Sequence, residues 1–524
     1  MTYFINRNIE KNEFKLAYES DYFVDKTELI SKINTIINKK DRFLCITRPR
    51  RFGKTINAMM LESYYSKNAN FKNIFDKLKI SDSESYLTHL NKHNVVYLQL
   101  NELPDVSTNV TYDDFINRYK NILFEDIEEL WPNIKFDKNK ALSDVFNKIS
   151  TETNEGFIFI IDEWDFIFNN NLFSKEERDK YLLFLKNLLK DRPYVELCYM
   201  TGVIPIAKYS TGSALNMFKE YTFLTDNIYY KYFGFTTEEV EYICNQQDKI
   251  TMKDLKEWYD GYKIQNIDIY NPRSVICALS DGICQSYWTN TGPMDEIMYF
   301  INNNVTDVKK DIITMISGEP VYIQLEGYGT ENLSLETRDE ILSAMVVYGL
   351  LTYHDETLEI PNKELLLKFS RSLRDKNLQE ISKLLSRSFD LLRATINQDT
   401  ETMAEIIQYT HDIYTSIIKY NDENSLSCII TIAYISAIEN YHIVREMPAG
   451  IGFADFIFYP KDKSKPAFII ELKKNSTSEE ALEQIFDKRY DEALKDYTGL
   501  KLAIGISYDS NLKKHSISIK TFLY

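Results

Sequence analysis

Three groups of residues in this chain have the types and spacing for phosphate chemistry. The first is Gly53-Lys54-Thr55, inside "ITRPRRFGKTINAMML" (46–61). A glycine admits close backbone approach, a lysine meets β- and γ-phosphates, and a following hydroxyl coordinates Mg²⁺. Arg51 and Phe52 would complete the turn whose N–H groups face the anion. The second group is Asp162-Glu163, which ends the apolar run "GFIFIIDEWD" (156–165). An aspartate there suits a Mg²⁺ ligand, and the adjacent glutamate suits the orientation and activation of water. Thr201 ends another apolar run, and its hydroxyl either senses a γ-phosphate or caps a turn. The third group is Asp455 with Glu471 and Lys473, in "GFADFIFYPKDKSKPAFIIELKK" (452–474). Glu471 and Lys473 are two apart, so in a strand they share one face while Leu472 points the other way. Asp455 and Glu471 as ligands of Mg²⁺, with a lysine to orient water and stabilise developing charge, suit phosphodiester hydrolysis.

These groups need strands to place them. Strands are predicted at 42–47, 94–100, 156–162 and 194–200, alternating with helices at 55–67, 113–130 and 174–190. That alternation implies an α/β fold over 1–235, a parallel sheet with helices on both faces. The near-continuous apolar run at 156–162 suits a strand buried on both sides. Residues 236–424 read as a helical region, entered through a cap at Thr236 or Thr237. Within it, a helix after 335 and the hairpin "LTYHDETLEIP" suggest a winged-helix-like module. Residues 425–524 read as a second α/β domain: a helix, two strands around "KDKSKP", another helix and the strand "KLAIGIS".

The phosphate loop has one unusual feature. Arg48 stands where such loops open with glycine. Arginine resists positive φ, and Pro49 pushes the residue before it toward extended geometry. The entrance is therefore predicted to be extended, with the anion nest confined to Arg51 through Thr55 and the helix N-terminus. Arg48, Arg50 and Arg51 either face phosphates or, for Arg48 especially, form a structural ion pair.

Bulk properties narrow the function. A chain of 524 residues suggests about three domains. A net charge of −16 gives no global positive field for nucleic acid, so any such contact must be local. No apolar run is long enough to span a bilayer and the start lacks an apolar signal core, so a cytoplasmic protein without a membrane partner is expected. The six cysteines form no C-x-x-C pair and are expected as free buried thiols. The scattered histidines argue against a structural zinc site.

Six ordered stretches together carry a resemblance: "YFVDKTELI" (22–30), "TRPRRFGKT" (47–55), "IIDEWD" (160–165), "TGVIPIAK" (201–208), "WYDGYKI" (258–264) and "YNPRSVI" (270–276). As a set they resemble the AAA-ATPase-like family, whose members carry a C-terminal PD-(D/E)xK nuclease domain. The resemblance implies an N-terminal P-loop NTPase domain of AAA-like type and a restriction-endonuclease-like domain at the C-terminus. It implies that the run with Arg48 is the family's own form of the loop, and that Asp25, Lys26 and Thr27 lie near the nucleotide. The sequence departs from the family at Ile167 and Arg273, where proline and a large aromatic are expected, and both departures are expected to lie away from the metal and phosphate groups. In the C-terminal domain Asp455, Glu471 and Lys473 take the D, E and K positions. Glu446, in "REMPAGIGFAD", matches a glutamate that supplies a further metal ligand. Gln484 and Tyr490, in "EQIFDKRY", resemble a Q…Y helix element. Phe453 stands where arginine is usual, which removes a cation from the metal site.

The resemblance thus implies ATP and Mg²⁺, with Mn²⁺ as a substitute, and DNA or RNA cut under nucleotide control. Two other readings stay open. One is a nucleotide-dependent switch whose nuclease fold binds without cutting. The other is an ATPase motor on nucleic acid, which needs an arginine finger from a neighbouring subunit of a homo-oligomer.

Overall fold

The computed structural model describes residues 2–7, 12–103, 110–169, 172–206, 214–264, 267–287, 306–323, 325, 337–372, 379–418 and 423–522. Ala207 and Lys208 of the fourth family stretch, and parts of the helical region expected at 366–420, lie outside them. The chain forms two compact units, Met1–Pro293 with Gln324–Asp355, and Met294–Ile323 with Glu356–Tyr524.

The first unit is built on a parallel sheet of β1 (Phe43–Thr47), β2 (Asn94–Gln99), β3 (Phe157–Asp162), β4 (Val195–Gly202) and β5 (Lys219–Tyr221), in the order β2-β3-β4-β1-β5. Every neighbouring pair is parallel. All six residues of β3 are buried, as its apolar run requires. One face packs Leu44, Ile46, Ile158 and Ile160 with Leu61, Tyr64 and Tyr65 of the helix Lys54–Tyr65. On the other, Phe157 and Phe159 meet the ring of Phe146 at 4.9 and 5.5 Å. The order places the end of β4 between those of β1 and β3, so Thr201 lies between the phosphate loop and Asp162.

Helix starts follow the local sequence closely. Thr111–Asp114, Ser174–Glu177, Thr236–Glu239, Thr251–Asp254 and Thr337–Glu340 each form a reciprocal capping box, which satisfies two otherwise orphaned N–H groups. Residues 236–290 depart from the all-helical expectation. Helices Thr237–Cys244, Met252–Tyr259 and Pro272–Asp281 surround an antiparallel ribbon of β6 (Phe235–Thr236), β7 (Tyr262–Ile264) and β8 (Ile267–Tyr270). Gly261, at φ +101°, breaks the helical path. Tyr262 and Ile264 are then buried around exposed Lys263, the two-residue period of a strand.

Three short strands follow. β9 (Val321–Tyr322) belongs to the second unit and pairs antiparallel with β11 (Thr357–Glu359), while β10 (Thr352–His354) belongs to the first. The main sheet of the second unit runs β12-β13-β14-β15-β16 in order: Tyr441–Ala449, Gly452–Pro460, Ala467–Lys474, Lys501–Asp509 and Lys514–Phe522. Only β14 and β15 are parallel, and the helix Ser478–Asp487 makes the crossover that such a pair needs. It lies so close to β15 that a Cβ on Gly505 would sit 2.1 Å from the Ser478 carbonyl oxygen. The opposite face packs Phe456, Phe458, Phe468, Ile470 and Leu472 against Leu391, Ile407 and Ile429 of three helices. β12 and β16, the two edges, extend the expected strands to five.

Candidate functional site

In the first unit, the loop after β1 runs into the helix Lys54–Tyr65 through Gly53, which takes φ +85°. A Cβ at Gly53 would meet nothing within 4 Å, so open space faces the loop at the point where a phosphate would approach. The helix leaves its first N–H groups without intrahelical partners at this end. A cleft of about 630 Å³ opens here, lined by Arg50, Arg51, Gly53, Lys54, Thr55, Glu163 and Arg273 among others. Lys54 is buried, and its Nζ donates to the carbonyls of Arg48 (3.1 Å) and Pro49 (2.9 Å). Burial lowers its pKa, against the charges of Glu163, Asp162 and Asp165.

Asp162 is fully buried at the end of β3. Its Oδ1 accepts from the Glu163 N–H at 3.1 Å, while Oδ2 has no hydrogen-bond partner among the described residues. Burial, then the charge of Glu163, pushes its pKa up to about 7, against the Thr55 hydroxyl and Lys54. A buried carboxylate oxygen without a donor, beside a hydroxyl and facing the phosphate loop, fits a cation such as Mg²⁺. Glu163 follows at φ +55°, half-exposed and on the cleft wall. The Thr201 hydroxyl is buried at the end of β4. Asp165, two residues past Glu163, accepts from the N–H groups of Val203 (3.0 Å) and Ile204 (2.8 Å), so one carboxylate ties the turn after β3 to the turn after β4.

Arg48 takes its ion-pair alternative, and several other expectations about this region resolve differently. Arg48 is not part of the cleft lining. Its guanidinium is fully buried, ion-pairs with Asp226, and donates to the carbonyls of Thr47 (2.8 Å) and Tyr221 (3.0 Å). Arg48 is therefore structural. The turn is made instead at Arg51, whose φ is +72°. The ring of Phe52 is core, set edge-on to Tyr262 and Phe223 at 5.1 and 5.5 Å, which leaves only its backbone for a ligand. Asp25, Lys26 and Thr27 form a knot outside the cleft: Asp25 accepts from the Thr27 and Lys79 N–H groups, and Lys26 pairs with Glu239. Arg273 corrects the expectation that it lies away from the phosphate groups. It sits at the start of the helix Pro272–Asp281, capped by Asn271, and lines the same cleft as Lys54. Local sequence does not bring it to the loop, since about 220 residues separate the two. The available signal was "NPR", a capped helix start that carries a cation.

In the second unit, alternation in β14 places Leu472 in one core and Glu471 on the face covered by the helix Ser478–Asp487. Glu471 is buried, and its Oε1 accepts from the Gln484 side chain. Its Oε2 is buried without a partner among the described residues. Burial first, and Asp455 second, pushes Glu471 up to about 8, while Lys473 opposes the shift. Asp455 lies where β13 and β14 part, and its Oδ2 accepts from the Leu472 N–H at 2.7 Å. The Tyr490 hydroxyl meets the backbone of Phe453 and the side chain of Gln484. Asp455, Glu471, Lys473, Gln484 and Tyr490 thus form one cluster, and the orphaned Oε2 beside a second carboxylate fits a divalent cation. Glu446 stands opposite Asp455 in the unbroken register of β12 and β13, between the pairs Arg445↔Phe456 and Met447↔Ala454, with φ +47° and an exposed side chain. Among the described residues no three acidic, histidine or cysteine side chains converge on one metal position.

Two family models match the chain, one within each unit. Residues 10–211 match the family described as predicted AAA-ATPase, and residues 421–516 match the PD-(D/E)XK nuclease superfamily. One relative, described as an uncharacterized protein in the vnfD 5′ region of Azotobacter chroococcum, is 23% identical over 280 residues. The match covers 52% of this chain and 51% of that protein, about half the length of each. Among solved structures, the Walker-type ATPase PABY2304 of Pyrococcus abyssi is 12% identical, with a TM-score of 0.36 over 66% of this chain and 96% of its own. The ORC2 protein of Aeropyrum pernix is 10% identical, with a TM-score of 0.35 over 68% and 97%. By its two family models, the chain joins an AAA-ATPase-like domain to a C-terminal domain of the PD-(D/E)XK nuclease superfamily.

Proposed function

We propose that the chain binds ATP in the first unit and hydrolyses phosphodiester bonds of DNA or RNA in the second, with nucleotide occupancy controlling the cut. The observation that carries the nuclease half is Glu471, a buried carboxylate with one oxygen aimed by Gln484 and the other without a partner. Such a group is costly unless a cation completes it. Asp455 and Glu471 would hold Mg²⁺, which when bound polarises phosphate oxygens and lowers the pKa of coordinated water. Lys473 orients the attacking water and offsets charge developing on the phosphate. In the first unit Thr55 and Asp162 would hold the Mg²⁺ that accompanies ATP. Lys54 leaves the loop carbonyls for the phosphates, and Glu163 orients water for slow hydrolysis. Arg50, Arg51 and Arg273 add cations at the same cleft, so the chain has its own candidates for the charge that a motor reading sought from a partner subunit.

The test is cleavage of labelled DNA and RNA by the full chain, with and without ATP, in Mg²⁺ or Mn²⁺. Wild-type protein should cut, Glu471→Ala should lose at least about 10²-fold while keeping ATP affinity, and Lys54→Ala should alter the ATP dependence. Metal-dependent cleavage unchanged in Glu471→Ala would refute the assignment.

A further inference from the structure

We infer that the tip of the β12–β13 hairpin, Ile451 and Phe453, is a stacking platform for an unpaired base, so that the substrate class of the second unit's centre is single-stranded nucleic acid or a frayed end. The inference rests on the nuclease reading above and names what that site takes.

Both side chains are large, apolar and presented to solvent, Ile451 at 66% and Phe453 at 62% exposure. The tip that carries them is not loose. The Ile451 N–H donates to the Lys488 carbonyl at 2.7 Å. Gly450, at φ +49°, has no room for a side chain, since a Cβ would lie 2.0 Å from that same carbonyl oxygen. A Cβ on Gly452 would lie 2.7 Å from the Tyr490 hydroxyl oxygen. The backbone of Phe453 itself meets that hydroxyl, which feels the charge of Glu471. The tip is thus fixed at the rim of the carboxylate cluster, two residues before Asp455.

A fixed apolar projection at such a rim has a limited set of partners. It makes no charge-assisted contact to a phosphate, as an arginine there would. In a duplex the faces of the bases are already stacked and out of its reach. An unstacked base offers a π-face of any sequence, and aromatic side chains beside a cationic groove are how single strands are held. A cation is present: Lys488, whose carbonyl anchors the tip, is exposed and has no ion pair among the described residues. It suits a flanking phosphate, beside the scissile one that Lys473 meets.

The test uses the full chain in Ca²⁺, to hold substrate without turnover, with a labelled short single-stranded DNA, the same sequence as RNA, and the blunt DNA duplex. Anisotropy reads affinity, and quenching of 2-aminopurine reads stacking. Single strands should bind more tightly than duplex. Phe453→Ala should weaken single-strand binding about tenfold and abolish the quenching, the scale of one base–aromatic stack, and Phe453→Trp should restore both. Tighter duplex binding, or single-strand affinity and quenching unchanged in Phe453→Ala, overturns the inference. The two readings fail separately. If Mg²⁺-dependent cutting proceeds while Phe453→Ala leaves the single-strand to duplex ratio unchanged, the platform falls and the nuclease stands. If Phe453 governs single-strand binding but no metal supports cutting, the platform stands and the nuclease falls.

Discussion

Replacing Arg48 should damage the fold and spare the nucleotide. Its guanidinium is buried with Asp226 as ion-pair partner, two carbonyls as acceptors, and the ring of Phe233 5.1 Å from its centre. Arg48→Met keeps most of the packing volume but strands a buried carboxylate and two buried carbonyls. Breaking one side of a buried pair costs about 3–5 kcal/mol. Asp226 keeps its N–H donors from Ile228 (2.8 Å) and Tyr229 (2.7 Å) on Oδ1, which argues for the lower end, about 3 kcal/mol. Against a domain stability of about 5–15 kcal/mol this is a large fraction. ATP affinity, measured well below the unfolding midpoint, should change by less than about tenfold, since the side chain does not line the cleft. Lys54→Ala should do the reverse. It should cost roughly 2–4 kcal/mol of ATP binding and less stability than Arg48→Met, since losing a charge that burial disfavours offsets the two carbonyls left without its donor. Urea unfolding of the first unit and titration with labelled ATP separate the two effects, and Arg48→Met with Asp226→Leu should regain stability by removing the stranded charge. If Arg48→Met kept full stability and lost as much ATP affinity as Lys54→Ala, the buried-pair reasoning would be wrong.

Three further outcomes follow from the same geometry. Glu163→Gln should keep ATP bound and slow its hydrolysis, whereas Asp162→Ala should weaken Mg²⁺-dependent ATP binding; normal hydrolysis by both would move the site elsewhere. Arg273→Ala should weaken ATP more than ADP, because a cation across the cleft from Lys54 gains most from the terminal phosphate; equal losses in a binding titration would count against it. His515, buried against His411 at 2.7 Å, is held neutral, with burial and then His411 pushing its pKa down to about 3 from an ordinary 6.5. Its folded value is the lower one, so between those limits the unfolded chain binds more protons. Stability of the second unit should be full above pH 6.5 and fall on acidification by up to about 1.4 kcal/mol per pH unit. Hydrogen exchange of β15 and β16 amides should show this loss, and His515→Asn should flatten it.

How much of this was legible in the sequence depended on the range of the interaction. Strands β1 to β4 of the first sheet and the cap at Thr236 are written in contiguous residues, and the structure realises them within a residue or two. Glu471, Lys473 and Leu472 obey two-residue arithmetic because β14 is regular. The same arithmetic does not place Glu446: its register opposite Asp455 is unbroken, but its left-handed φ of +47° departs from strand geometry, so alternation does not fix where its side chain points. Arg48 could be suspected of an ion pair from the loss of its glycine, but its partner Asp226 lies 178 residues downstream and no local pattern selects it. Arg273 is the sharper case. Nothing periodic connects it to Lys54, and only the folding of β6–β8 brings its helix to the cleft.

Arg51 tests whether backbone or charge does the work in the loop. With no glycine at the entrance, the chain still turns into the left-handed region, at Arg51 (φ +72°) and again at Gly53 (φ +85°). For an L-residue that conformation costs roughly 1–2 kcal/mol, and the molecule accepts it beside its candidate phosphate site. If the turn exists to aim N–H groups, glycine at this position should serve as well. Arg51→Gly would relieve the strain but add unfolded-state entropy worth about 0.4–1 kcal/mol, so the net gain in stability should be near 1 kcal/mol or less. Arg51→Ala removes the same cation and keeps the strain, so it should gain nothing. The guanidinium is exposed on the cleft wall and screened by solvent, so either change should cost ATP affinity less than about tenfold. Equal affinities for the two variants, with stability higher only for glycine, would assign the loop's role to its backbone. A loss in Arg51→Gly as large as in Lys54→Ala would instead make the arginine a phosphate ligand, and the strain would then be explained by the need to point that side chain inward.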